Sequence, residues 1–73
     1  SMGELQGFTG SFMVFHKNGW FQTFDETFRK IAEKHESSVG MFKNATGTSM
    51  IFVKNGWAVT YDMTFKKISE RHI

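Results

Sequence analysis

Cysteine is absent from the 73 residues, so neither a disulfide framework nor a thiolate metal site can be drawn, and a reducing compartment is allowed. No apolar run approaches the ~18 residues that a membrane-spanning helix needs, and no basic segment precedes an apolar one at the N-terminus. A soluble, cytoplasmic protein without membrane contact is expected. Ser1 ahead of Met2 reads as a residue added in cloning, which puts the expected natural start at Met2. Charge of one sign is scarce too. Nine Lys and Arg against seven Asp and Glu leave a formal +2, too little to imply a polyanion partner by itself. Glycine-rich phosphate loops, two-histidine metal motifs and nucleophile–base pairings are missing; the expectation is therefore no enzyme, no cofactor and no metal.

What is abundant is aromatic. Nine Phe, two Trp and one Tyr can each bury on the order of 150–250 Å². That is enough for a small core, or for a core and an adhesive face. A single core of this size rarely supplies more than a few kcal/mol, so help from a partner is expected.

The chain repeats itself. Shifting it by 37 places sets residues 9–36 over 46–73 without a gap, and 16 of the 28 positions are identical. Composition alone produces about two such matches. Gly3 and Gly40 extend the register. Sequential copies of this kind are units that cannot bury their apolar faces alone.

Each copy carries the same local signals. Ser11 to Lys17 and Thr48 to Lys54 are rich in Phe, Val, Ile and Met and read as strands. Asn18-Gly19 and Asn55-Gly56 follow, the residue pair that a type I′ hairpin turn favours because both positions need positive φ. Trp20 to Phe24 and Trp57 to Tyr61 return as second strands. Asp25 and Asp62 then stand where a helix N-cap would. Glu26 to His35 and Met63 to His72 read as helices, with Phe28, Ile31, Ala32 and His35 on one stripe and Phe65, Ile68, Ser69 and His72 on its echo.

These elements predict an α+β fold: a tandem ββα repeat forming a four-stranded antiparallel sheet with two helices packed on one face and pseudo-two-fold symmetry, or an intertwined dimer if the copies exchange. Residues 1–73 make a single domain, with units at 3–36 and 46–73 and a connector at 37–45. A two-residue turn pairs Lys17 with Trp20, Phe15 with Gln22 and Met13 with Phe24, and so puts those six on the face the helices would cover. Met50, Phe52, Lys54, Trp57, Val59 and Tyr61 match them. The opposite face, with Phe12, Val14, His16, Phe21, Thr23, Ile51, Val53, Ala58 and Thr60, is then too apolar for water. A three-residue loop with a bulge would exchange the first strands' faces.

Phe12, Val14, Phe21, Ile51 and Val53 are therefore the expected partner-binding residues. The leading reading is a small non-enzymatic binding or regulatory module, phage-like in scale, acting on a protein partner and on itself as a homodimer. The second is nucleic-acid binding. Lys17, Asn18 and Trp20, with Lys54, Asn55 and Trp57, combine cation, amide and ring at the hairpin tips, and Lys66, Lys67 and Arg71 make the second helix mildly basic. Turn geometry and sheet packing account for the tips equally well. His35 and His72 are expected at helix ends, where the dipole favours a cation, and Asp25, Asp62, Thr23 and Thr60 as capping rather than catalytic groups.

Overall fold

Both Asn-Gly pairs turn the chain as the residue types demand: φ is +51° at Asn18, +84° at Gly19, +51° at Asn55 and +80° at Gly56. The tight turn fixes the ladders. In the computed structural model, which describes residues 3–73, β2 (Phe12–Lys17) pairs antiparallel with β3 (Trp20–Asp25), with Lys17 opposite Trp20, Phe15 opposite Gln22 and Met13 opposite Phe24. The second copy repeats this. There β6 (Ser49–Lys54) pairs with β7 (Trp57–Asp62) through Lys54–Trp57, Phe52–Val59 and Met50–Tyr61.

Two further strands flank each hairpin. β1 (Glu4–Phe8) lies beside β2, and β4 (Lys30–His35) lies beside β3; β5 (Met41–Thr46) and β8 (Lys67–His72) do the same around the second hairpin. The result is two four-stranded antiparallel meanders, joined by one short helix, α1 (Glu36–Val39). The register slips at the same places in both, between Leu5 and Gly7 and between Phe42 and Asn44, then opposite Thr23/Phe24 and opposite Thr60/Tyr61. Repetition in sequence has become repetition of backbone, bulges included.

The α+β expectation does not hold. Neither expected helix forms, and the two hairpins do not share one sheet. The reason lies in the turn after β3. Asp25 Oδ1 accepts from the backbone N–H of Thr27 (2.9 Å), the Thr27 hydroxyl (2.6 Å) and the N–H of Arg29 (3.0 Å). Asp25 N–H also donates to the Arg29 carbonyl, which closes a loop where a helix would have continued. Phe28 sits at φ +64° to bring the chain back, and Phe65 repeats that value after Asp62. A carboxylate gathering the next amide hydrogens looks alike at a helix start and at this turn. The following stripe, Phe28, Ile31, Ala32 and His35, is too short to separate a 3.6-residue period from a strand carrying a bulge at Ile31. A ten-residue helix would in any case be marginal without packing. The connector is equally ordered: residues 37–45 contain most of α1 and β5.

The sheets stack face to face, and they do so in an unequal way. Sheet one turns Phe12, Val14, Phe21 and Thr23 inward; sheet two turns Met50, Phe52, Val59 and Phe65 inward, with Val39 of α1 filling the end. Displaced by 37, Met50 and Phe52 correspond to Met13 and Phe15, which point the other way. Opposite faces of equivalent sheets are therefore in contact, so the relation between the copies is not the expected two-fold. Phe52 is the hub. Its ring meets Phe21 at 4.9 Å, Phe42 at 5.5 Å, Tyr61 at 5.8 Å and Phe65 at 5.9 Å, with the first three pairs edge-on as ring quadrupoles prefer. The buried Thr23 hydroxyl ties the layers, donating to the Met63 carbonyl at 2.6 Å.

Two stability outcomes follow from this core. Phe52→Ala should cost about 3–5 kcal/mol, comparable with what a core of this size supplies, and circular dichroism should show the variant largely unfolded, whereas the half-buried equivalent Phe15→Ala stays folded. Thr23→Val, which leaves the Met63 carbonyl without its donor, should lower unfolding free energy by about 1–3 kcal/mol in a urea titration; an unchanged midpoint would show that the cross-layer bond is energetically silent.

Candidate functional site

The hairpin tips are exposed and alike. Trp20 stands on the outer face of sheet one, its ring edge-on to His35 at 5.1 Å; Trp57 meets His72 at 5.0 Å in the same manner. Both indoles keep about two-fifths of their surface in water, 40 % and 41 %. The histidines are thus strand residues beside tryptophans, and neither ends one of the expected helices. His35 Nδ1 also accepts from the Ser37 N–H at 3.2 Å and so begins α1. Lys54 is occupied at its tip, donating to the Ser37 carbonyl at 2.6 Å.

Of the basic residues expected on the second helix, only Arg71 lies at the tip end, and it is on the opposite face of the sheet from Trp57. Lys66 and Lys67 belong to the turn and strand at the far end of β7 from Trp57, about 17 Å along a strand of that length, and Lys67 is paired with Glu70 at 3.0 Å. Arg71 lies opposite Ala58, on the face of sheet two away from sheet one. Asn18 and Asn55 are consumed by the turn geometry. One continuous cationic track is not assembled from Lys17, Asn18, Trp20, Lys54, Asn55, Trp57, Lys66, Lys67 and Arg71.

A cleft of about 610 Å³ opens between the sheets beside α1, lined by Glu4, Gln6, His16, Phe21, Glu36 and Met41 among others. His16 Nε2 and Glu36 Oε1 lie 2.8 Å apart there, both partly in water. The second copy has Val53 in place of His16, so the pair occurs once. Among the described residues, no group of three or more His, Asp or Glu side chains could hold a metal ion, and no helix is long and apolar enough to cross a membrane.

The sheet faces are where apolar surface remains. Of the residues expected to bind a partner, Phe12, Val14 and Phe21 are buried between the layers and are unavailable to one. Ile51 and Val53 do face outward on sheet two, half-buried, with Ala58 and Thr60 beside them. On the far side of the molecule, sheet one presents Met13, Phe15 and Phe24, flanked by exposed Leu5, Phe8 and Phe28. This second patch is the one sequence reasoning assigned to the helices and therefore lost. The repeated Asp-x-Thr-Phe ends differently in the two copies: Phe65 is 6 % exposed and Phe28 59 %, so of two copies of one loop only one has found a cover.

Asp25 and Asp62 share a perturbed acidity. The Thr27 hydroxyl and the Arg29 N–H hold the Asp25 carboxyl below its ordinary value, and the Thr64 hydroxyl and Lys66 N–H do so for Asp62. Because the folded value is depressed, the stability these turns contribute is present above the ordinary Asp value of about 3.9 and is lost as pH falls below it toward the folded midpoint. Carboxyl titration by NMR should place both midpoints below ordinary aspartate. Asp25→Asn with Asp62→Asn should flatten the acid limb of a plot of urea midpoint against pH, and unshifted midpoints in the wild type would dismiss the turn's role. No family model, curated protein or solved structure matches this chain.

Proposed function

We propose that this chain is a small non-enzymatic binding module that works through protein–protein contact, with self-association as its first instance. One observation supports the reading above the others. Two unlike apolar faces, Met13/Phe15/Phe24/Phe28 on one side and Ile51/Val53/Ala58 on the other, stand open on a molecule whose own core is small. Burial of apolar area contributes roughly 25 cal/mol per Å², so covering either face stabilises a chain with little stability in reserve. Contiguous apolar surface of this sort marks an interaction site on a soluble domain.

Nucleic-acid binding ranks second. The indoles at the tips are accessible for stacking, but the cations that would hold phosphates are divided between the two ends and the two faces of the sheets.

Sedimentation velocity over a wide concentration range tests the reading. A weight-average mass that rises above the 8.4 kDa monomer with concentration is expected, and it should persist at high salt, because apolar contact is not screened as phosphate contact is. A monomer at every concentration removes self-association; association that vanishes in salt turns the argument toward charge.

A further inference from the structure

We infer that the self-association is head-to-tail and closes into a ring: copies of the chain meet through the same two faces that its own repeats use, and the four-stranded sheets radiate as blades around an axis beside β1 and β5. This rests on the proposed binding reading and specifies the partner as a second copy of this chain.

The internal interface supplies the template. Between the repeats, the face of sheet one carrying Phe12, Val14, Phe21 and Thr23 covers the face of sheet two carrying Met50, Phe52, Val59 and Phe65. Move each residue by one repeat. The first set becomes Ser49, Ile51, Ala58 and Thr60, which is the open face of sheet two. The second becomes Met13, Phe15, Gln22 and Phe28, which is the open face of sheet one. The Asn-Gly turns, the bulges and the loop that holds Phe28 and Phe65 at φ +64° are all repeated; α1, whose Val39 fills the end of the internal layer, is the one feature of that contact without a counterpart.

Specific positions fit. Phe65 enters the layer between the sheets, whereas Phe28 keeps more than half of its surface in water beside Leu5, Phe8 and Met13; a second copy would receive Phe28 against Ile51, Ala58 and Thr60, where a groove of about 190 Å³ lies open. Thr23 donates across the layers to the Met63 carbonyl. One repeat on, the Thr60 hydroxyl would donate to the Glu26 carbonyl of the next copy. Gly7 lies so close to the Phe42 ring that an added Cβ would come within 2.8 Å. At the equivalent junction Asn44 replaces Gly7 and the smaller Leu5 replaces Phe42, so the two changes compensate.

A same-sense contact generates either a ring or an open filament, according to whether the rotation closes. The sheets here form a wedge. Their backbones come together chiefly where β1 meets β5. At the other edge β8 is exposed along its length, and a groove of about 330 Å³ separates α1 from Trp57, Tyr61, Lys67 and Glu70. Each step therefore turns about the β1 side. Rings of four-stranded meanders close at about four to eight blades, which is two, three or four chains.

Native mass spectrometry and multi-angle light scattering on the unaltered chain should show one discrete species at two, three or four times 8.4 kDa. Phe28→Ser, which alters a residue already exposed in the single chain, should weaken association by about ten- to a hundredfold while leaving the circular dichroism spectrum unchanged. A chain carrying Glu26→Cys and Thr60→Cys should be joined by a short bis-maleimide between copies only, through 26-to-60 bridges, ending at that same discrete mass. A monomer at high concentration overturns the ring and the self-association it rests on, and leaves contact with an unlike protein as the remaining form of the binding reading. An unending ladder of masses, or bridges of 60-to-60 and 26-to-26, leaves self-association standing and overturns the ring.

Discussion

Side chains on a strand alternate between two faces, and in this protein both faces of each central hairpin are apolar. Everything else in the structure answers to that. Phe12 and Val14 interleave with Met13 and Phe15 along β2, and Met50 and Phe52 with Ile51 and Val53 along β6. A sheet of this composition needs a cover on each side, yet two sheets stacked together provide only one shared layer. The chain buries one face of each and leaves the other.

Which faces meet is then decided by size. Sheet one brings Phe12 and Phe21 to the layer where sheet two has Ser49 and Ala58, so the larger member of these two pairs lies inside, outweighing Val14 and Ile51, where the smaller one does. Sheet two brings Val59 where sheet one has Gln22, again choosing the apolar alternative for burial. Positions shared by the copies serve the backbone: Asn-Gly at the hairpins, Asp-x-Thr-Phe at the wider turns, and Trp with His at the tips. The layer mixes shared residues, Met50, Phe52, Thr23 and Phe65, with differing ones, Phe12, Val14, Phe21 and Val59. Duplication fixed the frame, and divergence at these few side chains chose which of the two possible stackings the chain adopts.

That division also explains what could be read in advance. The repeat, the hairpins and the pairing of Met13 with Phe24 and of Met50 with Tyr61 follow from local rules, because a two-residue turn leaves no freedom of register. The surplus of apolar sheet surface was legible for the same reason. Residues 26–35 and 63–72 were not. Asp25 collects the amide hydrogens that an N-cap would collect, and only the reversal at Phe28 separates turn from helix; that reversal is stabilised by hydrogen bonds to the following residues and by ladder pairing with β3, neither of which a periodicity records. Once β4 and β8 replace the helices, the cover for one face must come from the other sheet. Phe12, Val14 and Phe21 accordingly pass from the candidate interface into the core, and Met13, Phe15 and Phe24 pass the other way.

The same-sense stack has a consequence that a two-fold stack would lack. Had equivalent faces met, the two outer surfaces would have been alike, and a cap suited to one would have suited both. Here the outer surfaces are the complements of the buried ones, so the molecule ends on one side in a large-residue face and on the other in a small-residue face. Arrays of stacked repeats are normally finished by terminal units with polar outer faces. Sheet two goes part of the way, with Ser49, Thr60 and Arg71 among Ile51 and Val53. Sheet one does not, since Leu5, Phe8 and Phe28 are all exposed beside Met13 and Phe15. An unfinished end facing its own complement is relieved most simply by another copy. In the proposed ring, the wedge between β1/β5 and β4/β8 would give each successive copy the same turn, so the shape that leaves the ends open would also direct them toward each other.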